Sequence, residues 1–117
     1  MPDIRADLKY LPQSAQKVRL VIDTVRGMSA NEALESLRFV NKRAGEPVLK
    51  LIKSAVANAE ENYGVSRDDL YVEQIFANEA PTRKWRRFGA RGRFKPILRR
   101  QSHITVVLRE RGSQERT

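Results

Sequence analysis

The stretch LYVEQIFANEAPTRKWRRFGARGRFKPILRRQSHITVVLRE, residues 70–110, contains two runs of alternating apolar and polar residues that flank a strongly basic segment. This alternation has the period of a half-buried strand. The apolar positions that define the two predicted strands are Leu70, Val72 and Phe76 in the first run and Ile104, Val106 and Leu108 in the second. Because one continuous segment joins the runs, they predict the two sides of a long hairpin.

The positive charge of the chain is concentrated in that basic segment. Between Arg83 and Arg100 there are nine Lys or Arg residues and no Asp or Glu, whereas the other 14 Lys and Arg are balanced by 14 Asp and Glu. The net charge of +9 therefore belongs to one segment. Such a charge favours acidic partners, nucleic acid first and an anionic membrane surface second.

The connection from Phe76 to Ile104 is too long for an ordinary hairpin loop. Its threonine, tryptophan and phenylalanine residues favour strand, and the segment 89–92 supplies turn chemistry. If both strands continue to that turn, each extends about nine residues beyond Ala80, or about 30 Å at ~3.3 Å per residue. A globule of this length has a radius of gyration of about 13 Å, so the hairpin is expected to project as an arm.

The composition of the arm suits RNA better than the alternatives. Lys and Arg neutralise phosphates, Trp85, Phe88 and Phe94 offer faces for base stacking, and Gly89 and Gly92 permit close backbone approach. A solvated loop that serves solubility does not require three aromatic residues. A membrane-surface helix is disfavoured because the apolar residues do not form one helical face. Two strands carrying nine like charges are marginal alone, so the arm is expected to need a polyanion.

Two short helices precede the hairpin in the sequence. Ser14 is the predicted N-cap of the first helix and Gly27 its C′ residue, while Ser29 and Glu32 have the spacing of a capping box for the second. The apolar stripes are Val18, Val21, Ile22 and Val25 in the first helix and Ala33, Leu34, Leu37 and Val40 in the second. Each stripe has helical spacing and predicts a buried face.

A third helix is predicted to end before Gly64, with Pro47 in its first turn and Gly45-Glu46 as a break before it. A helix that already runs from Lys42 and is kinked at Pro47 is the alternative. Its buried stripe is Val48, Leu51, Ile52, Ala55, Val56 and Ala59. A short strand is predicted in ADLKYLP, where Ala6, Leu8 and Tyr10 alternate with Asp7 and Lys9, and it ends at Pro12.

These elements predict one α+β domain over residues 1–110, with three helices packed on one face of a three-stranded antiparallel sheet and the arm at about 80–102. The tail 111–117 is expected to fray. The 117 residues contain no Cys, no apolar run long enough to cross a membrane and no signal-peptide core. A soluble intracellular protein is therefore expected.

Three motifs carry a resemblance to a known family: SAQKVRLVIDTVRG (14–27), SAVANAEENYG (54–64) and RRQSHITVVLRE (99–110). In this order, with the basic arm between the last two, the chain resembles bacterial-type large-ribosomal-subunit protein twenty-two from about Leu8 to Glu110. The resemblance implies a cytoplasmic, non-catalytic ribosomal protein that binds large-subunit rRNA, assists assembly and lines the nascent-peptide exit tunnel with its hairpin. The segment AGEP, the aromatic arm and the residues after Glu110 depart from the family pattern.

The resemblance also implies which residues contact rRNA. The arm residues are Arg83, Lys84, Trp85, Arg86, Arg87, Phe88, Arg91, Arg93, Phe94, Lys95, Arg99 and Arg100, with the tip near Arg87–Phe94. Ser14, Lys17 and Arg19 are implied at the RNA-facing surface of the first helix. The implied partners are large-subunit rRNA, neighbouring large-subunit proteins and the nascent peptide, with no cofactor, metal, membrane or homo-oligomer.

Two other classes of function are weighed against this one. An independent RNA- or DNA-binding regulator would use the same arm away from the ribosome. An enzyme is disfavoured because the sequence has no phosphate-cradling loop, no HExxH and no GxSxG. The single histidine, His103, is expected to be an ordinary sheet residue, and Asp68-Asp69 to belong to a turn rather than to a metal site.

Overall fold

The computed structural model describes residues 3–80, 83–88 and 94–111. The predicted hairpin turn, including Arg91 and Arg93, and the tail beyond residue 111 lie outside the described residues. The elements, in chain order, are β1 (Ile4–Leu11), α1 (Ala15–Ile22), α2 (Ala30–Arg38), α3 (Gly45–Asn62), a 3-10 turn (Arg67–Asp69), β2 (Leu70–Glu79), β3 (Arg83–Phe88), β4 (Phe94–Arg99) and β5 (Ser102–Glu110).

Within the described residues the strands form two antiparallel sheets. The larger sheet has the order β1-β5-β2, and β3 pairs only with β4 in a separate two-stranded ribbon. The three helices pack on one face of the larger sheet and bury an apolar cluster against it. The predicted α+β class, with three helices on a three-stranded antiparallel sheet and a hairpin continuing from it, is confirmed.

The central strand β5 supplies the middle of the core. Ile104, Val106 and Leu108 are fully buried, as their alternation predicted. Their neighbours on β1 and β2 face the same side of the sheet. Val106, for example, pairs with Ala6 of β1 and with Ile75 of β2. Burying each such side chain stabilises the fold by about 1.5–3 kcal/mol.

The prediction that Phe76 shares a buried face with Leu70 and Val72 is wrong. One extra residue in β2, at Glu73, shifts the pairing with β5 by one position. A shift of one residue moves every later side chain to the opposite face of a sheet. Ile75 is therefore buried in place of Phe76, which is 37% exposed on the outer face.

The strand predicted from the alternation of Ala6, Leu8 and Tyr10 is present as β1, but the alternation of burial does not continue to Tyr10. The register of β1 shifts between Leu8 and Leu11, so Leu11 is buried and Tyr10 is 55% exposed. Tyr10 has a φ of +59°, in the left-handed region that non-glycine residues seldom adopt. Its backbone N–H donates to Nδ1 of His103 at 3.0 Å, and the two rings meet edge to face. His103 is a sheet residue, as expected.

Both predicted N-caps are confirmed. Ser14 Oγ accepts from the Lys17 N–H at 3.4 Å, and Ser29 Oγ accepts from the Glu32 N–H at 3.3 Å. Gly27, however, is not the C′ residue of α1, because that helix ends at Ile22. Gly27 has a φ of +84° and donates its N–H to the Val72 carbonyl at 3.0 Å, which joins the loop before α2 to the edge of β2.

The placement of Pro47 in the first turn of α3 is confirmed, since the helix begins at Gly45. The break predicted at Gly45-Glu46 is wrong, because both residues are helical, and the alternative helix from Lys42 is not observed. Gly45 is packed closely, since a Cβ there would meet Val40 Cβ at 3.2 Å. Val40 lies beyond the end of α2 and is partly buried against the core. The helix ends before Gly64, as predicted.

The outer face of the sheet carries a polar contact between its strands. Thr105 Oγ1, which is buried in the central strand, donates to Asp7 Oδ1 at 2.6 Å across the β1–β5 pair. This hydrogen bond lowers the pKa of Asp7, with a smaller contribution from Arg5 in the same direction. Asp7 remains about one third exposed, which limits the size of the effect.

We predict that Asp7 makes the fold less stable in acid. Because its pKa in the folded state is lowered, its contribution is complete above the ordinary aspartate range near pH 4 and is lost as the pH falls through the folded-state pKa. The expected loss is about 1 kcal/mol or less. Urea unfolding of the protein at pH 7 and pH 3 should show a smaller difference in stability for Asp7→Asn than for the wild type.

Two substitutions at Thr105 provide the controls. Thr105→Val removes the donor at nearly constant volume and should flatten the pH dependence, whereas Thr105→Ser keeps the hydroxyl and should retain it. Equal pH dependence in the wild type, Asp7→Asn and Thr105→Val would contradict the assignment.

Candidate nucleic-acid interface

The arm is a regular antiparallel ribbon over its described length. Six residues of β3 pair with six of β4, from Arg83 opposite Arg99 to Phe88 opposite Phe94. Six residues per strand correspond to about 20 Å at ~3.3 Å per residue. The predicted hairpin therefore forms, and its paired backbone extends to the two phenylalanines that flank residues 89–93.

The register of the ribbon places like charges at opposing positions. Arg83 lies opposite Arg99, and Arg87 lies opposite Lys95. Like charges directly opposite each other on antiparallel strands are destabilising, by up to about 1 kcal/mol per pair. Two strands without a further sheet or helix are themselves only marginally stable in water. Charge repulsion and the small size of the ribbon therefore both oppose the pairing of the arm.

The dimensions of the molecule agree with a projecting arm. The principal axes measure 70, 26 and 22 Å, and the radius of gyration is 17.7 Å. A compact domain of this length has a radius of gyration of about 13 Å. The chain is therefore strongly elongated along one axis, as the length of the predicted hairpin requires.

The arm continues from two neighbouring strands of the body's sheet, the edge strand β2 and the central strand β5. The Ala80 N–H donates to the Gln101 carbonyl at 2.9 Å, which continues the β2–β5 pairing one step toward the arm. At the same level the Arg100 guanidinium lies 3.8 Å from the Glu79 carboxylate. The described pairing of the body's sheet therefore extends to Ala80 and Gln101, at the base of the arm.

The first helix brings two of the predicted contact residues to the base of the arm. Ser14, the N-cap of α1, and Lys17 line an open cleft of about 810 Å³ that Arg100 also lines. The N-terminal end of a helix carries a partial positive charge, and α1 has no acidic residue in its first turn. This end of the helix therefore adds to the positive potential of the cleft.

Arg19 has a structural role that its sequence pattern did not reveal. Its Nη2 donates to the Ala77 carbonyl at 2.8 Å, and Nη2 of Arg26 donates to the Ile75 carbonyl at 2.7 Å. Strand β2 is at the edge of the sheet, so these guanidinium groups satisfy carbonyls that no neighbouring strand covers. The signal was present in the spacing, since Arg19 and Arg26 lie seven residues apart on one face of α1 and its following turn.

Sequence analysis missed two further basic residues that line the cleft. Lys42 and Arg43, in the loop between α2 and α3, lie with Ser14, Lys17 and Arg100 around the same opening. The complete lining consists of Pro12, Gln13, Ser14, Gln16, Lys17, Leu20, Lys42, Arg43, Ala44, Glu79 and Arg100. An adjacent basic pair in an interhelical loop was the available signal, but only the fold brings it to the base of the arm.

The acidic residues of the described chain do not form a cluster of the kind that holds a metal ion. Among residues 3–80, 83–88 and 94–111, no cluster of three His, Asp or Glu side chains has metal-binding geometry. Asp68 is part of the 3-10 turn that leads into β2 and accepts a hydrogen bond from Asn31 Nδ2 at 2.8 Å, which agrees with the turn predicted there. In the same described ranges no helix is long and apolar enough to cross a membrane.

Known proteins similar to this chain define its class. The large ribosomal subunit protein uL22 of Caldicellulosiruptor saccharolyticus is 49% identical over 106 residues, which cover 91% of this chain and 87% of the relative. The protein of the same name from Thermoanaerobacter sp. (strain X514) is 47% identical and that from Clostridium novyi (strain NT) 44% identical, each over 109 residues, 93% of this chain and 98% of the relative.

The family follows from a second comparison. The family model described as Ribosomal protein L22p/L17e matches residues 6–109, nearly the whole of the described chain. The chain therefore belongs to this family, in its bacterial type, and the resemblance drawn from three sequence motifs is confirmed. It is a structural, non-enzymatic protein of the large ribosomal subunit and acts in translation in the cytoplasm.

We predict that Arg19 contributes to stability and Lys17 does not. Arg19→Met keeps the aliphatic stem but removes the donor to the β2 edge, which should lower the free energy of unfolding by about 1 kcal/mol. Lys17→Met on the same helix is the matched control and should change it by less than about 0.5 kcal/mol. Urea denaturation of both variants measures the difference. Equal free energies of unfolding for the two variants would show that the Arg19 hydrogen bond does not stabilise the fold.

Proposed function

We propose that this protein binds large-subunit rRNA through its arm, supports assembly of the subunit and lines the nascent-peptide exit tunnel with the arm. The observation that carries the proposal is the concentration of the whole net charge of +9 in residues 83–100, six of whose nine basic residues lie in the paired strands β3 and β4. Membership of the L22p/L17e family supports large-subunit rRNA as the RNA that the arm binds. The proposed partners are large-subunit rRNA, neighbouring large-subunit proteins and the nascent peptide.

In this proposal the free energy of RNA binding stabilises the arm. Phosphates neutralise like charges at the paired positions Arg83 and Arg99 and Arg87 and Lys95, so repulsion within the ribbon falls as the complex forms. Trp85, Phe88 and Phe94 supply aromatic faces on which unpaired bases stack, at about 1–3 kcal/mol for each base. The described body then serves to fix the position and direction of the arm.

The proposed contact residues keep separate roles. The arginines and lysines of the arm, from Arg83 to Arg100, contact phosphates and hold the ribbon against the rRNA. Ser14 and Lys17 extend the contact onto the body at the base of the arm. Arg19 contributes the guanidinium N–H groups that its bond to β2 leaves available.

We expect the affinity for naked rRNA to fall steeply with salt. About 6–9 phosphate contacts correspond to a loss of about three to five orders of magnitude between 50 and 200 mM salt. A variant in which Arg86, Arg87, Arg91 and Arg93 are all Ala should lower the slope of log affinity against log salt by about 3–4. It should also incorporate poorly into large subunits, as measured by co-sedimentation.

The matched control replaces four arginines of the body that do not line the cleft: Arg5, Arg38, Arg67 and Arg111. This variant has the same net charge as the arm variant and should keep both the salt slope and incorporation near wild-type values. If the arm variant behaved like this control, the proposed role of the arm would be wrong. A protein that did not co-sediment stoichiometrically with large subunits would instead be an independent regulator.

Trp85 offers an internal probe of the arm, since it is the only tryptophan of the chain. Stacking on a base should quench its fluorescence when rRNA is added at low salt, and the emission should recover as added salt dissociates the complex. A double variant with Trp85→Phe and Tyr63→Trp moves the probe to the far end of α3, about 27 Å along that helix from its N-terminus. Its emission should change little, and equal responses of the two proteins would contradict stacking in the arm.

A further inference from the structure

We propose that the free protein pairs with a second copy of itself along strand β1, so that two three-stranded sheets join edge to edge into one antiparallel sheet of six strands. The interface is the outer edge of that strand, residues 3–9, here called the β1 edge. The proposal goes beyond the RNA role of the arm and does not depend on it. It departs from the absence of a homo-oligomer that the family resemblance implied.

The β1 edge is open in the described part of the chain. Within residues 3–80, 83–88 and 94–111, β1 pairs with β5 alone, whereas carbonyls at the other edge of the sheet, on β2, accept from Arg19, Arg26 and Gly27. An open groove of about 580 Å³ lies between β1 and α3, lined by Leu8 and Leu51 among others. Unpaired backbone N–H and C=O groups at a sheet edge are a template for another strand.

The β1 edge also leaves apolar surface exposed. Ala6 faces the helices beside its partner Val106, which is fully buried, yet Ala6 itself is only partly buried. Leu8 has the same relation to Ile104. The difference arises because β5 has a strand on each side and β1 has one. A strand added at this edge therefore gains apolar contacts as well as backbone hydrogen bonds.

The charges of the β1 edge are complementary to those of a second copy. On the outer face of the strand the charge alternates in sign along Asp3, Arg5, Asp7 and Lys9. When two copies run antiparallel with Ala6 opposite Ala6, Arg5 lies opposite Asp7 and Asp3 lies opposite Lys9. The two-fold axis repeats each pair, so four pairs of opposite charge form. The chain itself thus supplies the strand that its own edge fits.

Other antiparallel registers of the same two edges are less favourable. A pair centred on Asp7 places Asp7 opposite itself and Arg5 opposite Lys9, and like charges directly opposite each other are destabilising. A pair centred on Arg5 places Arg5 opposite itself. A pair centred on Leu8 includes the part of β1 where the register is irregular. The register centred on Ala6 is therefore the one that the charges and the regular part of the strand both select.

The same geometry keeps the two arms apart. Leu11, at the C-terminal end of β1, pairs with Ser102, the first residue of β5 after the arm. Because the two copies of β1 run antiparallel, the bases of the two arms lie at opposite ends of the joined sheet. The net charge of +9 belongs to residues 83–100, and its repulsion is screened over about 8 Å at 0.15 M salt. The neutral bodies can therefore meet along β1 without bringing the arms together.

Sedimentation equilibrium of the full chain without RNA, up to about 1 mM protein in 0.15 M salt, measures the association. One pair of strands is a small interface, so we expect a dissociation constant on the order of 0.1 mM. Arg5→Asp and Asp7→Arg each turn two pairs of opposite charge into like-charge pairs, and each should weaken association about tenfold or more.

An equimolar mixture of these two variants is the sharpest arm of the experiment. In the mixed dimer all four positions again carry opposite charges, so association should recover to within about threefold of the wild type. Misfolding of either variant cannot produce this recovery. The matched controls are Arg38→Asp on α2 and Glu61→Arg on α3, which make the same changes of charge at exposed positions outside β1. Both controls should associate like the wild type.

A cysteine at the two-fold axis tests the register, because the chain contains no Cys. In the proposed dimer the two copies of Ala6→Cys lie directly opposite each other, at a Cα separation that a disulfide can span. The two copies of Leu8→Cys lie four residues apart along the strands, about 13 Å, which is too far. Mild oxidation of the full chain should give covalent dimers of the first variant and few of the second.

Three results would overturn the inference. The wild type could remain monomeric at 1 mM, as it would if the β1 edge bound only another protein. The mixture of the two charge variants could fail to recover association, or the two cysteine variants could cross-link equally. The variant with four arginines of the arm replaced by Ala should dimerise like the wild type. Failure of the RNA role of the arm would therefore leave this test unaffected.

Discussion

The structure depends on the pairing of β5 with a strand on each side. Ile104, Val106 and Leu108 are buried by this pairing and by the helices above them, and the same strand leads directly from the base of the arm. An arm that repels itself electrostatically needs a rigid point of attachment. The central strand of the sheet is that point, because it is hydrogen-bonded on both edges and its inner face lies in the core. Folding of the body therefore fixes where the charge is presented.

The protein separates its charges between regions. On the body, basic groups are mostly paired or used structurally: Arg109 lies between Asp3 and Glu73, and Arg19 and Arg26 cover carbonyls of the β2 edge. The basic residues of the arm lie in a segment without any acid, and those of the cleft have almost no acidic neighbour. Positive charge is therefore concentrated in the arm and around the cleft at its base. This distribution of charge is consistent with the family's place in the large ribosomal subunit.

Local signals were read correctly where one physical cause dominated. The caps at Ser14 and Ser29 follow from the hydrogen-bonding needs of a helix N-terminus, and the buried stripe of β5 follows from its alternation. The prediction for Phe76 failed, and the alternation of β1 does not continue to Tyr10, because each strand contains an irregularity. A shift of one residue in the pairing depends on the neighbouring strand, so alternation within one segment cannot reveal it. The break predicted at Gly45-Glu46 failed because Gly45 packs closely against Val40 at the start of α3, a contact that helix propensity does not reveal.

The sequence by itself determined the α+β class, the paired basic arm and the family, because these depend on periodicity, on the distribution of charge and on motifs that are local in the chain. Only the tertiary structure decided which charges remain free to bind. Arg19 looks like a solvated cation in the sequence, yet the edge of β2 accepts its hydrogen bond. Lys42 and Arg43 look unremarkable in the sequence, yet packing of the loop between α2 and α3 brings them beside Lys17 and Arg100. The physical reason is that a cation's role depends on its neighbours in space, which the fold alone selects.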